Sequence, residues 1–224
     1  MIRIAIDGPG GAGKSTIAKA LAKKLGIVYV DTGALYRTVG LNTDMCSVDP
    51  SNVDAVASLL PTLTIEIAYE DGVQVIYMNG RRITDEIRTP KMSMYASAVS
   101  AIPAVRNFLL QTQKSIAEKQ SVIMDGRDIG TVIIPDAEVK IFLTASPEER
   151  AMRRYKELLE KGKEKPYEEV LAEMNERDSN DSQRAIAPLV PAEDAVIFNN
   201  TSYTLEECVE YILDIVKSKS EVAY

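Results

Sequence analysis

Between Gly8 and Ser15 the chain reads Gly8-Pro9-Gly10-Gly11-Ala12-Gly13-Lys14-Ser15, which satisfies G-x-x-x-x-G-K-[ST] in full. The residues before it, Ile2 to Ile6, are short, apolar and β-branched, and read as a buried strand. From Ser15 to Leu25 the apolar residues Ile17, Ala20, Leu21 and Leu25 fall at helical spacing, with lysines on the other face and Gly26 as a stop. Between a strand and a helix, such glycines let backbone N–H groups turn around an anion with no side chain in the way. The helix N-terminus adds partial positive charge. Lys14 is then placed to reach the β- and γ-phosphates of a nucleoside triphosphate, and the Ser15 hydroxyl to join the shell of a bridging Mg²⁺.

The rest of the chain predicts an α/β fold. Ile27 to Val30, Ser121 to Asp125, Val139 to Thr144 and Ala195 to Phe198 read as further strands. Helices are predicted from Gly33 to Leu41, in two stretches opened by Pro90 and Pro103, from Pro147 to Lys161, from Tyr167 to Asn180 and from Thr204 to Ser220. Ser146-Pro147-Glu148-Glu149 is a helix start, with Ser as cap, Pro at the first position and Glu three residues after the cap. Strands alternating with helices imply a parallel sheet covered on both faces. Ligands of such sheets sit beyond the carboxyl ends of the strands, where this chain places Asp7, Asp31, Asp125 and Thr144. One stretch has a different texture. Leu63 to Ala68 alternates, Val73 to Met78 is strand-like, Asn79-Gly80 is a hairpin turn, and a last strand-like piece ends near Ile87. It predicts a small antiparallel insert. The pair of charged helices around Gly162 predicts a flap, and Ser218 to Tyr224 a frayed end.

Composition narrows the chemistry. The chain of 224 residues contains no histidine, which excludes Ser-His and Cys-His nucleophile pairs and histidine metal sites. Its net charge of −7 argues against broad binding to nucleic acid or anionic lipid. No apolar run approaches the ~18–20 residues of a membrane span. Cys46 and Cys208 are too few for a disulfide framework and read as free thiols in a reducing cytoplasm. Nothing in the sequence demands more than a monomer.

A phosphate loop alone fits a kinase, a hydrolytic motor or a switch. No Asn-Lys-x-Asp run is present to read guanine. A kinase needs a second anion site, and arginine binds phosphate bidentately while staying charged. Arg37 and Arg127 follow strand ends, Arg106 lies in the helical stretch after the insert, and Arg177 and Arg184 flank Asp178 and Asp181. Arg150, Arg153 and Arg154 lie on the first flap helix, one of them expected to face the phosphates and the others to pair with Glu149 and Glu157. The alternatives left open are a kinase for another small acceptor and an ATP-binding switch without acceptor chemistry.

The phosphate loop continued to Thr16, the runs Asp31-Thr32-Gly33-Ala34-Leu35-Tyr36-Arg37 and Asp125-Gly126-Arg127-Asp128-Ile129-Gly130-Thr131, and Arg184-Ala185-Ile186-Ala187-Pro188-Leu189 together resemble the bacterial cytidylate kinases. The resemblance covers nearly the whole chain. It implies a three-layer P-loop kinase fold: a five-stranded parallel sheet with helices on both faces, a β-rich monophosphate-binding insert and a helical lid. The implied divisions are a core of 1–60, 102–147 and 185–224, an insert of 61–101 and a lid of 148–184. The resemblance implies transfer of a phosphoryl group from ATP, with Mg²⁺, to CMP or dCMP. ATP would be held by Gly8 to Thr16. Thr32, Arg37, Arg127, Asp128, Asp181 and Arg184 would contact the CMP sugar and phosphate, and Ser97 and Arg106 the cytosine ring. Lys14, Arg127 and Arg184, with Arg153 or Arg177, would neutralise the transferred group.

Overall fold

In the computed structural model, which describes residues 1–219, β1 (Arg3–Asp7) runs through the glycine loop into α1 (Lys14–Leu25), and β2 (Val28–Asp31) into α2 (Thr32–Met45). There follow α3 (Val53–Leu59), β3 (Ile65–Glu70), β4 (Val73–Met78), β5 (Arg81–Arg82), α4 (Pro90–Ser100) and α5 (Pro103–Lys119). The last third holds β6 (Val122–Gly126), β7 (Val139–Thr144), α6 (Pro147–Glu160), α7 (Tyr167–Gln183), β8 (Val196–Asn199) and α8 (Leu205–Lys219). One sheet has five strands in the order β2-β6-β1-β7-β8, with β1 parallel to β6 and β7, and β7 parallel to β8. The other is a three-stranded antiparallel sheet in the order β3-β4-β5. The five-stranded parallel sheet, helices α1, α2 and α4 to α8, and the antiparallel insert are those expected from the sequence.

The chain divides into two compact units, Met1–Ile27 with Gln120–Tyr224, and Val28–Lys119. In the first, β1, β6 and β7 bury Ile4, Ile6, Ile123, Met124 and Ile141 almost completely, and Leu21 of α1 joins them. In the second, α2, α4 and α5 share a core with the antiparallel sheet through Leu35, Val39, Val99, Leu109 and Ile76. Gly40 permits this, because a Cβ there would lie 2.8 Å from that of Tyr95.

Local chemistry sets the helix ends. The Ser146 hydroxyl accepts from the Glu149 N–H with Pro147 in the first turn, the start read from the sequence. Gly26 closes α1 in the left-handed region at φ 65°. Helix α3 was not legible, although Asn52 caps it by accepting from Ala55 N–H. The strand-like piece expected to end near Ile87 is corrected to Arg81–Arg82 alone. Beyond it the Thr84 hydroxyl takes the Ile76 N–H, and Ile87 N–H turns back to the Ile83 carbonyl, so that Ile83 and Ile87 are both buried. Burial of two residues four apart outweighs continuation of an edge ladder. Ser218 and Lys219 complete α8 rather than fray, and the remainder of that expectation, residues 220–224, lies outside the described residues.

Candidate active site

In the first unit β1 delivers the chain at Asp7 into the loop. Gly8 has φ 147° and passes so close to β7 that a Cβ would stand 1.9 Å from the Leu143 carbonyl oxygen. Gly11 and Gly13 have φ 72° and 87°, the left-handed values that aim consecutive N–H groups inward. Lys14 is buried and its ammonium donates to the Pro9 carbonyl at 2.7 Å, spanning the loop. Burial, with repulsion from Arg127 and Arg177, holds this ammonium well below the usual lysine range, against attraction from Asp125 and Asp7. Anionic phosphate beside it would reverse that balance and keep it charged.

The Ser15 hydroxyl donates to the Asp125 carboxylate at 2.8 Å. Asp125 is buried at the end of β6, one strand from the loop-bearing β1. It was read as a strand-end residue but not as part of the site. The signal that could have found it is an aspartate at the end of a strand next to the loop strand. Both oxygens are hard donors of the kind Mg²⁺ takes while it keeps waters and substrate phosphates.

Beside the loop stands a set of arginines. Arg127, just past β6, donates through Nε to Asp181 at 2.8 Å, and its Nη2 lies 3.7 Å from where a Gly10 Cβ would be. Arg177 approaches the same Asp181 oxygen at 4.0 Å. Arg184 lies 3.7 Å from Asp128 and donates through Nε to the Ala187 carbonyl. The Leu189 N–H returns to the Asp181 carbonyl at 2.8 Å, folding the Arg184–Leu189 run back onto the end of α7. Burial alone would raise the Asp181 carboxyl, but Arg127, Arg177 and Arg184 outweigh it and hold it below the usual carboxylate range. The structure thus gathers Lys14, Arg127, Asp128, Arg177, Asp181 and Arg184 in one unit with the loop.

Of the α6 arginines, Arg150 is the one on the loop. It donates to the Gly10 carbonyl at 3.0 Å and pairs with Asp178, whose other oxygen accepts from Gly10 N–H at 3.3 Å. Arg153 reaches the loop through Asn200: it donates to the Asn200 side chain at 3.2 Å, and Asn200 donates to the Ala12 carbonyl at 3.0 Å. Arg153 and Arg154 also pair with Glu149 and Glu157. Arg150 is one of the three arginines of which one was expected to face the phosphates, whereas Asp178 and Asn200 were not singled out as site residues, because their loop partners are backbone groups that no motif records.

The second unit holds the other expected residues. Asp31 caps α2 by accepting from Ala34 N–H at 3.0 Å, and its second oxygen pairs with Arg37 at 2.7 Å and Arg88 at 3.5 Å. Gln74 of β4 accepts from Asp31 N–H at 2.7 Å and so ties the antiparallel sheet to the end of β2. Thr32 is buried at the start of α2. Arg106 is buried, donates to the Ser100 carbonyl at 3.2 Å and stacks 5.7 Å from the centre of the Tyr36 ring. The Ser100 hydroxyl in turn donates to the Ser97 carbonyl, so Ser97 and Arg106 belong to one local network.

A glycine loop between β1 and α1, a strand-end aspartate on its serine and arginines beside it define a P-loop kinase. Among solved structures the chain is similar to an uncharacterised protein of Eubacterium ventriosum, with TM-score 0.52 and 14 % identity over 97 % of this chain and 99 % of that one, a likeness of fold. A family model described as cytidylate kinase matches residues 4–218. Cytidylate kinases of Fervidobacterium nodosum and Thermosipho africanus are each 50 % identical over 220 residues, covering 98 % of this chain and 98 % and 96 % of theirs. That of Carboxydothermus hydrogenoformans is 49 % identical over 221 residues, covering 99 % of this chain and all 100 % of its own. The chain belongs to the cytidylate kinase family.

Proposed function

We propose that the protein transfers the γ-phosphoryl group of ATP to CMP and dCMP, giving ADP and the corresponding diphosphate, in pyrimidine nucleotide metabolism. The observation that carries the reading is the cluster of Arg127, Arg177 and Arg184 on Asp181 and Asp128 next to the phosphate loop, with more positive than negative charge. Such a cluster suits a second phosphate facing the first. ATP lies along Gly8 to Thr16. Ser15 and Asp125 would hold Mg²⁺, which would neutralise charge on the phosphates. Arg37, Arg127, Asp128, Asp181, Arg184 and Thr32 take the sugar and phosphate of CMP. Ser97 and Arg106 take its ring. A hydroxyl and a guanidinium fork suit the ring acceptors of cytosine, and a wrong base would leave them unpaired.

The acceptor needs no general base. A phosphate monoester has a second pKa near ~6 and is already anionic at neutral pH, which is how a chain without histidine performs the reaction. Catalysis is then positioning and charge neutralisation by Lys14, Arg127 and Arg184, with Arg153 or Arg177. We further propose that 148–184 works as a lid excluding water, that 61–101 binds the monophosphate, and that 1–60, 102–147 and 185–224 form the core. The protein is read as a cytoplasmic monomer without nucleic-acid partners, in keeping with its free Cys46 and Cys208. Among the described residues no helix is long and apolar enough to cross a membrane. The test is release of ADP with CMP, dCMP, UMP, AMP and shikimate as acceptors. CMP and dCMP should be the best; ATP turnover indifferent to CMP overturns the reading.

A further inference from the structure

The Asp7 carboxylate is left over by this account. It is buried at the end of β1, one residue before the phosphate loop, and is not among the residues assigned to nucleotide. Its oxygens accept from two consecutive backbone donors, Ile129 N–H at 2.8 Å and Gly130 N–H at 2.7 Å. Those donors open the π-helical turn Ile129–Ile133, which begins directly after Arg127 and Asp128. The turn is wound around the same point: Val132 and Ile133 N–H both return to the Asp128 carbonyl, and Ile134 N–H to that of Ile129. The approach is close at Gly130, where a Cβ would stand in contact with both partners, 3.4 Å from the Asp7 oxygen and 3.3 Å from the Lys140 side chain. The stem of Lys140 closes the far side, its ammonium drawn away to the Pro135 carbonyl and Asp194.

We infer that Asp7 is a positioning residue for the acceptor side: by gripping Ile129 and Gly130 it fixes Arg127 and Asp128 relative to the phosphate loop that its own backbone begins. One residue thus belongs to both halves of the reaction, by covalent bond to the donor loop and by two hydrogen bonds to the backbone that follows the arginine facing it. An asparagine has the same shape but one acceptor oxygen, and it turns an NH₂ donor against one of the two N–H groups, which must then back away. Arg127 moves with that backbone. The inference rests on the reading of Arg127 as an acceptor ligand.

The experiment is calorimetric binding of CMP, and separately of ADP, to the wild type, Asp7→Asn, Arg127→Ala and the double variant. Asp7→Asn should weaken CMP tenfold or more and ADP less than threefold, and in the Arg127→Ala background it should cost CMP less than threefold more. Equal losses for CMP and ADP would reduce Asp7 to a general brace and overturn the inference. So would losses that multiply in the double variant, or unaltered CMP binding in Asp7→Asn. Unaltered CMP binding in Arg127→Ala would instead overturn the reading beneath it. If Asp7→Asn does not fold, Asp7→Glu, which keeps both acceptor oxygens but sets them one methylene further out, displaces the same backbone and should show the same split between CMP and ADP.

Discussion

Replacing Gly11 by alanine tests whether the phosphate loop and the helices α6 and α7 are packed as one piece. Gly11 sits at φ 72°, where an L-residue costs about 1–2 kcal/mol. The added Cβ would also lie 2.7 Å from the Met174 methyl of α7, 3.0 Å from the Arg150 carbonyl oxygen and 3.1 Å from the Arg150 Cβ of α6. The methyl ends a flexible side chain and can retreat. The Arg150 atoms cannot move without α6, and overpacking of this kind costs about 1–3 kcal/mol. The sum is about 2–5 kcal/mol, which for a chain of this size lowers Tm by roughly 4–20 °C. Circular dichroism melts of the wild type, Gly11→Ala and Gly11→Ala/Met174→Ala measure it. The double variant should recover only part of the loss, because the backbone conformation and the Arg150 approach remain. A Tm within about 2 °C of the wild type, or full recovery on removing Met174 alone, would refute the reasoning.

Burial pushes the Asp7 carboxyl up to about 6 from 3.8, with Asp128 adding to the rise and the two N–H bonds and Lys14 opposing it. The folded protein therefore holds the proton more tightly than the unfolded chain. Relative to Asp7→Asn, wild-type stability should fall as pH rises from ~4 to ~6, by about 3 kcal/mol, and be level above that. Urea midpoints at a series of pH values for both proteins measure this, and a flat difference would contradict it. Asp181, held low by its arginines, acts in the opposite sense and contributes stability that is lost as pH falls. Referencing to Asp7→Asn removes its effect. Asp125→Asn should raise the Mg²⁺ concentration for half-maximal rate about tenfold or more through loss of the carboxylate on Ser15, as read from Mg²⁺ titrations of kcat; an unshifted titration would place the metal elsewhere. Arg106→Ala removes about 1.5–3 kcal/mol of charged hydrogen bonding, so KM for CMP should rise roughly 10- to 150-fold with KM for ATP near its original value. Equal changes in both would contradict its place at the ring.

The phosphate loop could be read directly because its information is contiguous: a strand, glycines free to adopt positive φ, and a helix, all within Arg3 to Leu25. The cap at Ser146 was equally local, acting on an N–H three residues away. The π-helical turn after Asp128 was not foreseen. Its β-branched sequence suits a strand, and the groups that bend it include an aspartate 122 residues earlier in the chain. The same holds for the arginines. Their number and approximate places were visible, but a sequence cannot say which carboxylate neutralises which guanidinium. Asp181 reaches Arg127 across 54 residues, and Arg150 comes from α6 to the carbonyl of Gly10 across 140. The sequence by itself therefore determined the donor half, the absence of histidine chemistry and the family. The tertiary structure decided how Asp7, Asp125, Arg150 and Asp181 are spent, because a buried charge takes its partner from whatever the fold brings within reach.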